Sequence, residues 1–215
     1  MNKRPGLSRQ LLIDTALRLL DEVGLEGLTV RRLAAELGVQ SPALYWHIRT
    51  KQELIDGMAD AICRTPGMGP PRDEESWQDW LTRRARAYRT SLLAHRDGAH
   101  VIARARSLSP ETVRLFDQEL SAMVERGFTP ALALHTIASL TSYMNGFVLQ
   151  EQTARQEASL PGDQPGGALH GGTPATLMAA IREGGSPVGE QAFEHGLRVL
   201  IDGTSAALDR RSRPA

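Results

Sequence analysis

The chain carries a single cysteine, Cys63, which rules out an intrachain disulfide and with it the stapled framework of a small secreted domain. One thiol fits a reducing compartment, so the cytoplasm is the expected location. No apolar run reaches the roughly 18 residues that a membrane helix requires, so no membrane partner is expected. The opening MNKRPGLSRQ lacks the apolar stretch of a secretory signal. Net charge is absent as well, with 25 basic against 25 acidic residues. That removes a global polyanion-binding signature but leaves room for a local basic patch. Lysine is nearly missing, at Lys3 and Lys51 only, which reads as coding bias. Signatures of chemistry are lacking too. There is no phosphate-cradling glycine loop (the glycines near Gly166 have no lysine after them), no CxxC pair and no HExxH. The histidines His47, His95, His100, His135, His170 and His195 are scattered, with no pair at metal-ligand spacing on one helix. No metal site, cofactor or catalytic residue is therefore expected.

What is present points to an all-α chain. At 215 residues and 41% apolar content the composition is that of an ordinary globular protein of one large or two small domains. Between Ser8 and Val23, residues Leu12, Ala16, Leu19, Leu20 and Val23 share one helix face, and Gly24 and Gly27 punctuate the turn that follows. Thr29 is placed to cap a short helix that runs to Leu37 and stops at Gly38. Ser41 is placed to cap a third helix, Pro42 to His47, with proline where no backbone donor is needed. Lys51 to Arg64 forms a fourth, with Leu54, Met58, Ala61 and Ile62 along one side. The stretch TPGMGPP, Thr65 to Pro71, reads as a linker between a domain at 1–64 and another at 65–215.

The second part is also helical. Ser76 caps a helix that runs to Arg96, a shorter one spans Asp97 to Arg106, and Ser109 with Pro110 opens a third that ends at Gly127. A long helix, Pro130 to about Glu157, is rich in small residues. Ser159 to Pro174 is rich in Gly and Pro and is expected to be mobile. The last helix, about Val188 to Arg211, carries Phe193, Leu197, Leu200, Ile201 and Leu208.

Two short helices around a glycine turn, Thr29–Leu37 and Pro42–His47, match the helix-turn-helix plan, whose second helix enters the DNA major groove. That plan accounts for Tyr45, Trp46 and His47 standing side by side. Successive residues lie about 100° apart on a helix, so three in a row cannot share one core. Leu44 and Ile48 can dock the helix while the aromatic trio faces a duplex. The plainer reading is a three-helix core in which Trp46 fills a gap. Arg31, Arg32, Arg49 and Lys51 lie where phosphates or a base edge would be met. Arg31 is the candidate reader of guanine, whereas Arg32 reads as a solvated charge. Asp14, Asp21, Glu22, Glu26 and Glu36 then belong on faces turned from DNA.

The run GLTVRRLAAELGVQSPALYWHIRTKQELID resembles the DNA-binding domain of the TetR family of bacterial transcriptional repressors, and LYWH resembles its tetracycline-repressor branch. SWQDWLTRRARAYRTSLLAHRDGA, MVERGFTP, GFVLQEQ and GEQAFEHGLRVLIDG resemble that branch's ligand-binding and dimerisation domain. The resemblance implies a double-stranded DNA operator contacted by Thr29, Arg31, Ser41, Pro42, Ala43, Tyr45, Trp46, His47 and Lys51. It implies a homodimer formed by the long helix and the last one in a four-helix bundle. An intrachain bundle is the alternative. It also implies a small-molecule inducer met by Arg84, Tyr88, Ile102, Ala105, Arg106, Phe116, Glu119, Leu120, Leu134, Ile137, Thr141 and Gln150. The branch holds a magnesium–drug chelate through a histidine, but the matching position here is Ile102, and Arg84 stands where an asparagine is expected. His100 lies on nearly the opposite side of that helix. A metal-independent apolar or anionic inducer is the resulting expectation. Ligand binding is expected to move the fourth helix like a lever and so change the spacing of two recognition helices, which serve half-sites about 34–36 Å apart. A helical small-molecule enzyme and a helical interaction protein that does not bind DNA are the rival readings.

Overall fold

A computed structural model describes residues 6–64, 67–158 and 174–212. Among them all regular structure is helical: α1 Arg9–Gly27, α2 Val30–Glu36, α3 Ser41–Leu44, α4 Lys51–Cys63, α5 Trp77–Leu93, α6 Gly98–Arg104, α7 Pro110–Glu125, α8 Pro130–Ala158, α9 Ala175–Gly184 and α10 Glu190–Ser212. The described residues fall into two compact units. One comprises those up to Pro70 together with Arg86–Glu119, the other Pro71–Ala85 together with those from Leu120 onward.

In the first unit, Ser8 caps α1 by accepting a hydrogen bond from the Leu11 amide at 3.2 Å. Leu12, Ile13, Ala16, Leu19 and Leu20 are buried, α1 packs on α4, and Leu54, Met58 and Ile62 of α4 are buried too. Each such side chain contributes about 1.5–3 kcal/mol by leaving water. Helix α1 is interrupted at Gly24, where φ is 69° and ψ is 172°. Glycine is required there twice over, because a Cβ would also stand 3.0 Å from the Asp97 carboxylate. Thr29 caps α2 as expected, accepting from the Arg32 amide at 3.1 Å, and Gly38 ends the turn with φ of 66°.

The third helix departs from expectation. Gln40, not Ser41, is the N-cap; Ser41 is the first helical residue, and the α-helix stops at Leu44 instead of His47. The Gln40 carbonyl accepts the first turn bond, from the Ala43 amide at 2.9 Å, which moves the start back by one residue. Past Leu44 the chain tightens through three-residue bonds, Tyr45 N to Pro42 O at 3.3 Å and His47 N to Leu44 O at 2.9 Å. Helix α6 is also shorter than its expected span of Asp97–Arg106. Ala105 turns extended, and the Arg106 amide donates to Asp56 at 2.9 Å instead of continuing the helix.

In the second unit, Ser76 caps α5 through the Asp79 amide at 3.1 Å. Glu75 takes a bidentate pair from Arg83, both bonds 2.7 Å. Helices α8 and α10 meet through Tyr143, Phe147 and Phe193, whose ring centroids lie 5.5–5.8 Å apart. The Tyr143 hydroxyl donates to the Phe193 carbonyl at 2.9 Å. Leu197 is 1% exposed and belongs to this core. Helix α9 has no sequence expectation behind it, and none of its residues is buried. The segment expected to be mobile, Ser159 to Pro174, lies outside the described residues except at Pro174, and His170 lies outside them with it.

Candidate nucleic-acid interface and ligand-site residues

The short, tight α3 decides where the aromatic trio goes. Leu44 and Ile48 are buried and anchor the segment to the core. Tyr45 is 49% exposed and leans over an apolar crevice formed with Leu12, Leu33 and Leu54. Trp46 is 89% exposed and stands in solvent. His47 is half-buried. The gap-filling role for Trp46 is thereby excluded, and a large ring is displayed beside the helix-turn-helix.

Around that ring the cations are open. Arg31, Arg49 and Lys51 are exposed, as are Thr29 and Pro42, while Ser41 and Ala43 are partly covered. Arg32 is exposed and reaches back to the Gly27 carbonyl at 3.4 Å. Glu53 accepts from the Arg49 amide at 2.8 Å, whereas the carboxylates expected to face away from DNA have partners of their own. Arg18 bonds both Glu22 and Glu36, Arg104 bonds Glu26 at 2.7 Å, and Asp21 accepts from the Arg96 amide at 2.9 Å beside His95. The hydrogen bond from Arg104 holds the Glu26 carboxyl below its ordinary range. Asp14 accepts from Gln10 at 2.7 Å.

The residues considered for a small molecule are distributed over both units. In the first, Glu119 is fully buried and accepts from the Gly69 amide at 2.9 Å; Tyr88, Ile102, Ala105 and Phe116 are partly covered, and Arg106 is exposed. In the second, Arg84 and Ile137 are buried, at 6% and 4% exposure, Leu120 and Thr141 are partly covered, and Leu134 and Gln150 are exposed. Among the described residues no group of three or more His, Cys, Asp or Glu side chains could hold a metal ion. No described helix is long and apolar enough to cross a membrane.

One set of contacts in the first unit is not anticipated by the sequence reading. Gln52, Asp56, Asp60 and Arg64 lie four residues apart along α4, and each grips the connection from α6 into α7. Gln52 donates to the Arg104 carbonyl at 2.9 Å. Asp56 accepts from the Arg106 amide at 2.9 Å and the Ser107 hydroxyl at 2.6 Å. Asp60 accepts from the Ser109 amide at 2.9 Å and the Thr112 hydroxyl at 2.6 Å. Arg64 pairs with Asp60 at 3.1 Å and with Glu111 at 2.8 Å. Burial opposes the charge on both aspartates, but the hydrogen bonds outweigh it and hold both carboxyls below their ordinary range. The four-residue spacing of polar side chains was the available signal.

Two family models match the chain. Bacterial regulatory proteins, tetR family, covers residues 12–58, and Tetracyclin repressor-like, C-terminal domain, covers residues 70–208. The chain is 38% identical over 207 residues to the tetracycline repressor protein class C of Escherichia coli, covering 94% of this chain and 91% of that one. It is similar to a solved possible TetR family transcriptional regulator from Streptomyces coelicolor A3(2), with TM-score 0.78 and 34% identity over 93% of this chain and 100% of that one. A structure of TetR class A with 5a,6-anhydrotetracycline and magnesium is similar at TM-score 0.69 and 34% identity, covering 93% of this chain and 99% of that one.

Proposed function

The chain belongs to the TetR family, in its tetracycline-repressor-like branch, and from that premise we propose that a homodimer of it grips a palindromic operator and releases it when a small molecule binds. It is a helix-turn-helix repressor that responds to a ligand, and not an enzyme. Its place is the cytoplasm, where its DNA is. We keep residues 1–64 as the DNA-binding segment and 65–215 as the ligand-binding and dimerisation segment. The observation that carries the DNA reading is the helix-turn-helix surface, on which Trp46 is 89% exposed and Arg31, Arg49 and Lys51 are exposed with it. Phosphate contacts by such cations release counterions, so affinity should fall steeply with salt. The test is selection of duplexes from a random-sequence pool, repeated with Arg31→Ala. A bidentate contact to guanine makes the change cost about 1–3 kcal/mol and relaxes preference at one base pair. An unchanged preference removes Arg31 from the reading role.

Support for the dimer comes from the outward sides of α8 and α10, where Leu134 and Val199 are 53% and 55% exposed. Leu197 takes no part in that face, because it is already buried within the chain.

The inducer is the point of departure from the branch. The relative of class A holds anhydrotetracycline with magnesium. Magnesium takes oxygen ligands in near-octahedral geometry, and Ile102 offers none where the resemblance places a histidine. His100, two residues away on α6, is turned about 200° from it. The ligand that the branch supplies from this position is therefore missing here. An apolar side chain at Ile102, in place of a metal ligand, favours an apolar or anionic molecule taken without metal. DNA and inducer then weaken each other by the same factor, and a coupling of about 1–3 kcal/mol is enough for roughly 5–150-fold.

A further inference from the structure

We propose that Glu53 is a positioning residue for operator recognition: its carboxylate fixes the turn between the recognition segment and α4 by holding the Arg49 backbone. This role presupposes the operator binding proposed above. Arg31, Arg49 and Lys51 are exposed cations on the helix-turn-helix surface, and Glu53 lies in the first turn of α4, two residues after Lys51. A carboxylate beside those cations repels the phosphates that they attract. Two like charges about 10 Å apart in water weaken binding by about twofold, and salt screens part of that. By charge alone Glu53 therefore opposes the DNA.

Its contacts act the other way. The Arg49 amide donates to Glu53 Oε2 at 2.8 Å. The Glu53 amide donates to the hydroxyl of Thr50, the N-cap of α4, at 3.0 Å. Arg9, at the start of α1, stands with Nε 3.9 Å from Glu53 Oε1 and offsets part of the charge. The first two bonds make a reciprocal cap, shifted by one residue from the usual box, in which the glutamate takes the amide of the N-cap itself. That shift carries the proposal. The Arg49 amide belongs to the turn, one residue past the buried anchor Ile48 and three past the 89% exposed Trp46. Glu53 thus ties the anchored segment to the helix that carries Lys51. Because it holds backbone, it leaves the exposed Arg49 side chain to the DNA. A net hydrogen bond of this kind changes an equilibrium roughly 2–12-fold, which outweighs the repulsion.

The test compares two duplexes of equal length, one selected by the wild-type full chain from a random pool and one unselected. Affinities for both are measured at one salt concentration and at a temperature where melts show every variant folded, so that a lost complex is not a lost fold. Charge acts on both duplexes alike, whereas the placing of base-reading groups acts on the selected one. Glu53→Ala removes charge and acceptor together. It should lower the ratio of the two affinities roughly 2–12-fold, with the unselected duplex bound no more weakly. Glu53→Gln removes the charge and keeps an acceptor for the Arg49 amide. It should retain the wild-type ratio and tighten both complexes by up to about twofold. In an Arg49→Ala background, Glu53→Ala should lower the ratio by the same factor, because the bond is to the amide and not to the guanidinium. A wild-type ratio in Glu53→Ala overturns the positioning role. So does a ratio in Glu53→Gln that falls as far as in Glu53→Ala, or an effect that vanishes in the Arg49→Ala background. If the wild-type chain selects no duplex at all, the operator reading fails before any variant is compared, and the positioning role falls with it.

Discussion

Replacing Gly196 by alanine puts a methyl group where the Tyr143 ring now lies. A Cβ built on Gly196 falls inside the contact distance of the Tyr143 hydroxyl oxygen and 2.6 Å from the ring carbon that bears it. Real side chains do not tolerate such distances, so the ring must swing. It then gives up its bond to the Phe193 carbonyl at 2.9 Å and its packing on Phe147 and Phe193. Overpacking of this kind costs about 1–3 kcal/mol, and the lost hydrogen bond about 0.5–1.5 kcal/mol. Alanine returns up to about 1 kcal/mol through its higher helix propensity. The net is a loss of about 1–3 kcal/mol. In a chain of this length each kcal/mol lowers Tm by about 2–4 °C. Thermal melts at fixed protein concentration read the shift. Tyr143→Phe removes the nearest atom, so the double variant should lose less than the two singles summed, with a coupling of about 0.5–3 kcal/mol. A Gly196→Ala protein that melts at or above the wild-type temperature would refute the reasoning. It would behave as an open helical glycine does.

Val199→Arg should yield monomers by sizing, with helicity retained, because the side chain is 55% exposed; Leu197→Arg should unfold the second unit instead, because its side chain is 1% exposed. Glu75 is held down to about 2 by the Arg83 guanidinium, below its ordinary 4.5, so its stabilising effect is complete above about pH 4.5 and is lost as pH falls towards 2. In an acid titration Glu75→Gln should flatten that part of the stability curve, and an unchanged slope would count against the pair. Magnesium with tetracycline at micromolar levels should leave the operator complex intact in a gel-shift assay. Release under those conditions would mean that His100 or another group supplies what Ile102 cannot.

Much of the helix-turn-helix was legible because its signals are local. Thr29, Gly38, Leu44 and Ile48 do what their types and spacing imply. Ser41 misled because a serine before a proline looks like a cap, whereas the turn closes on the Gln40 carbonyl, which no side-chain rule reports. The face of α10 was legible only in part. Periodicity marks Phe193, Leu197 and Ile201 as buried but cannot say whether their cover is the same chain or another copy. The polar row on α4 is not among the sequence expectations, because apolar spacing marks only Leu54, Met58, Ala61 and Ile62. Its partners lie some fifty residues away, at 104–112, beyond the reach of any local pattern.

That row is not straight. A period of four on a helix of 3.6 residues per turn advances by about 40° at each step, so the three steps from Gln52 to Arg64 wind about 120° around α4 while climbing about 18 Å. The connection at 104–112 therefore sits on α4 like a thread on a screw. Neighbouring members of the row stand about 6 Å apart along the axis and about 40° apart around it. A pure piston stroke breaks every bond in the row, and so does a pure twist. The row therefore opposes movement along the axis and around it at once, in the helix that carries Lys51.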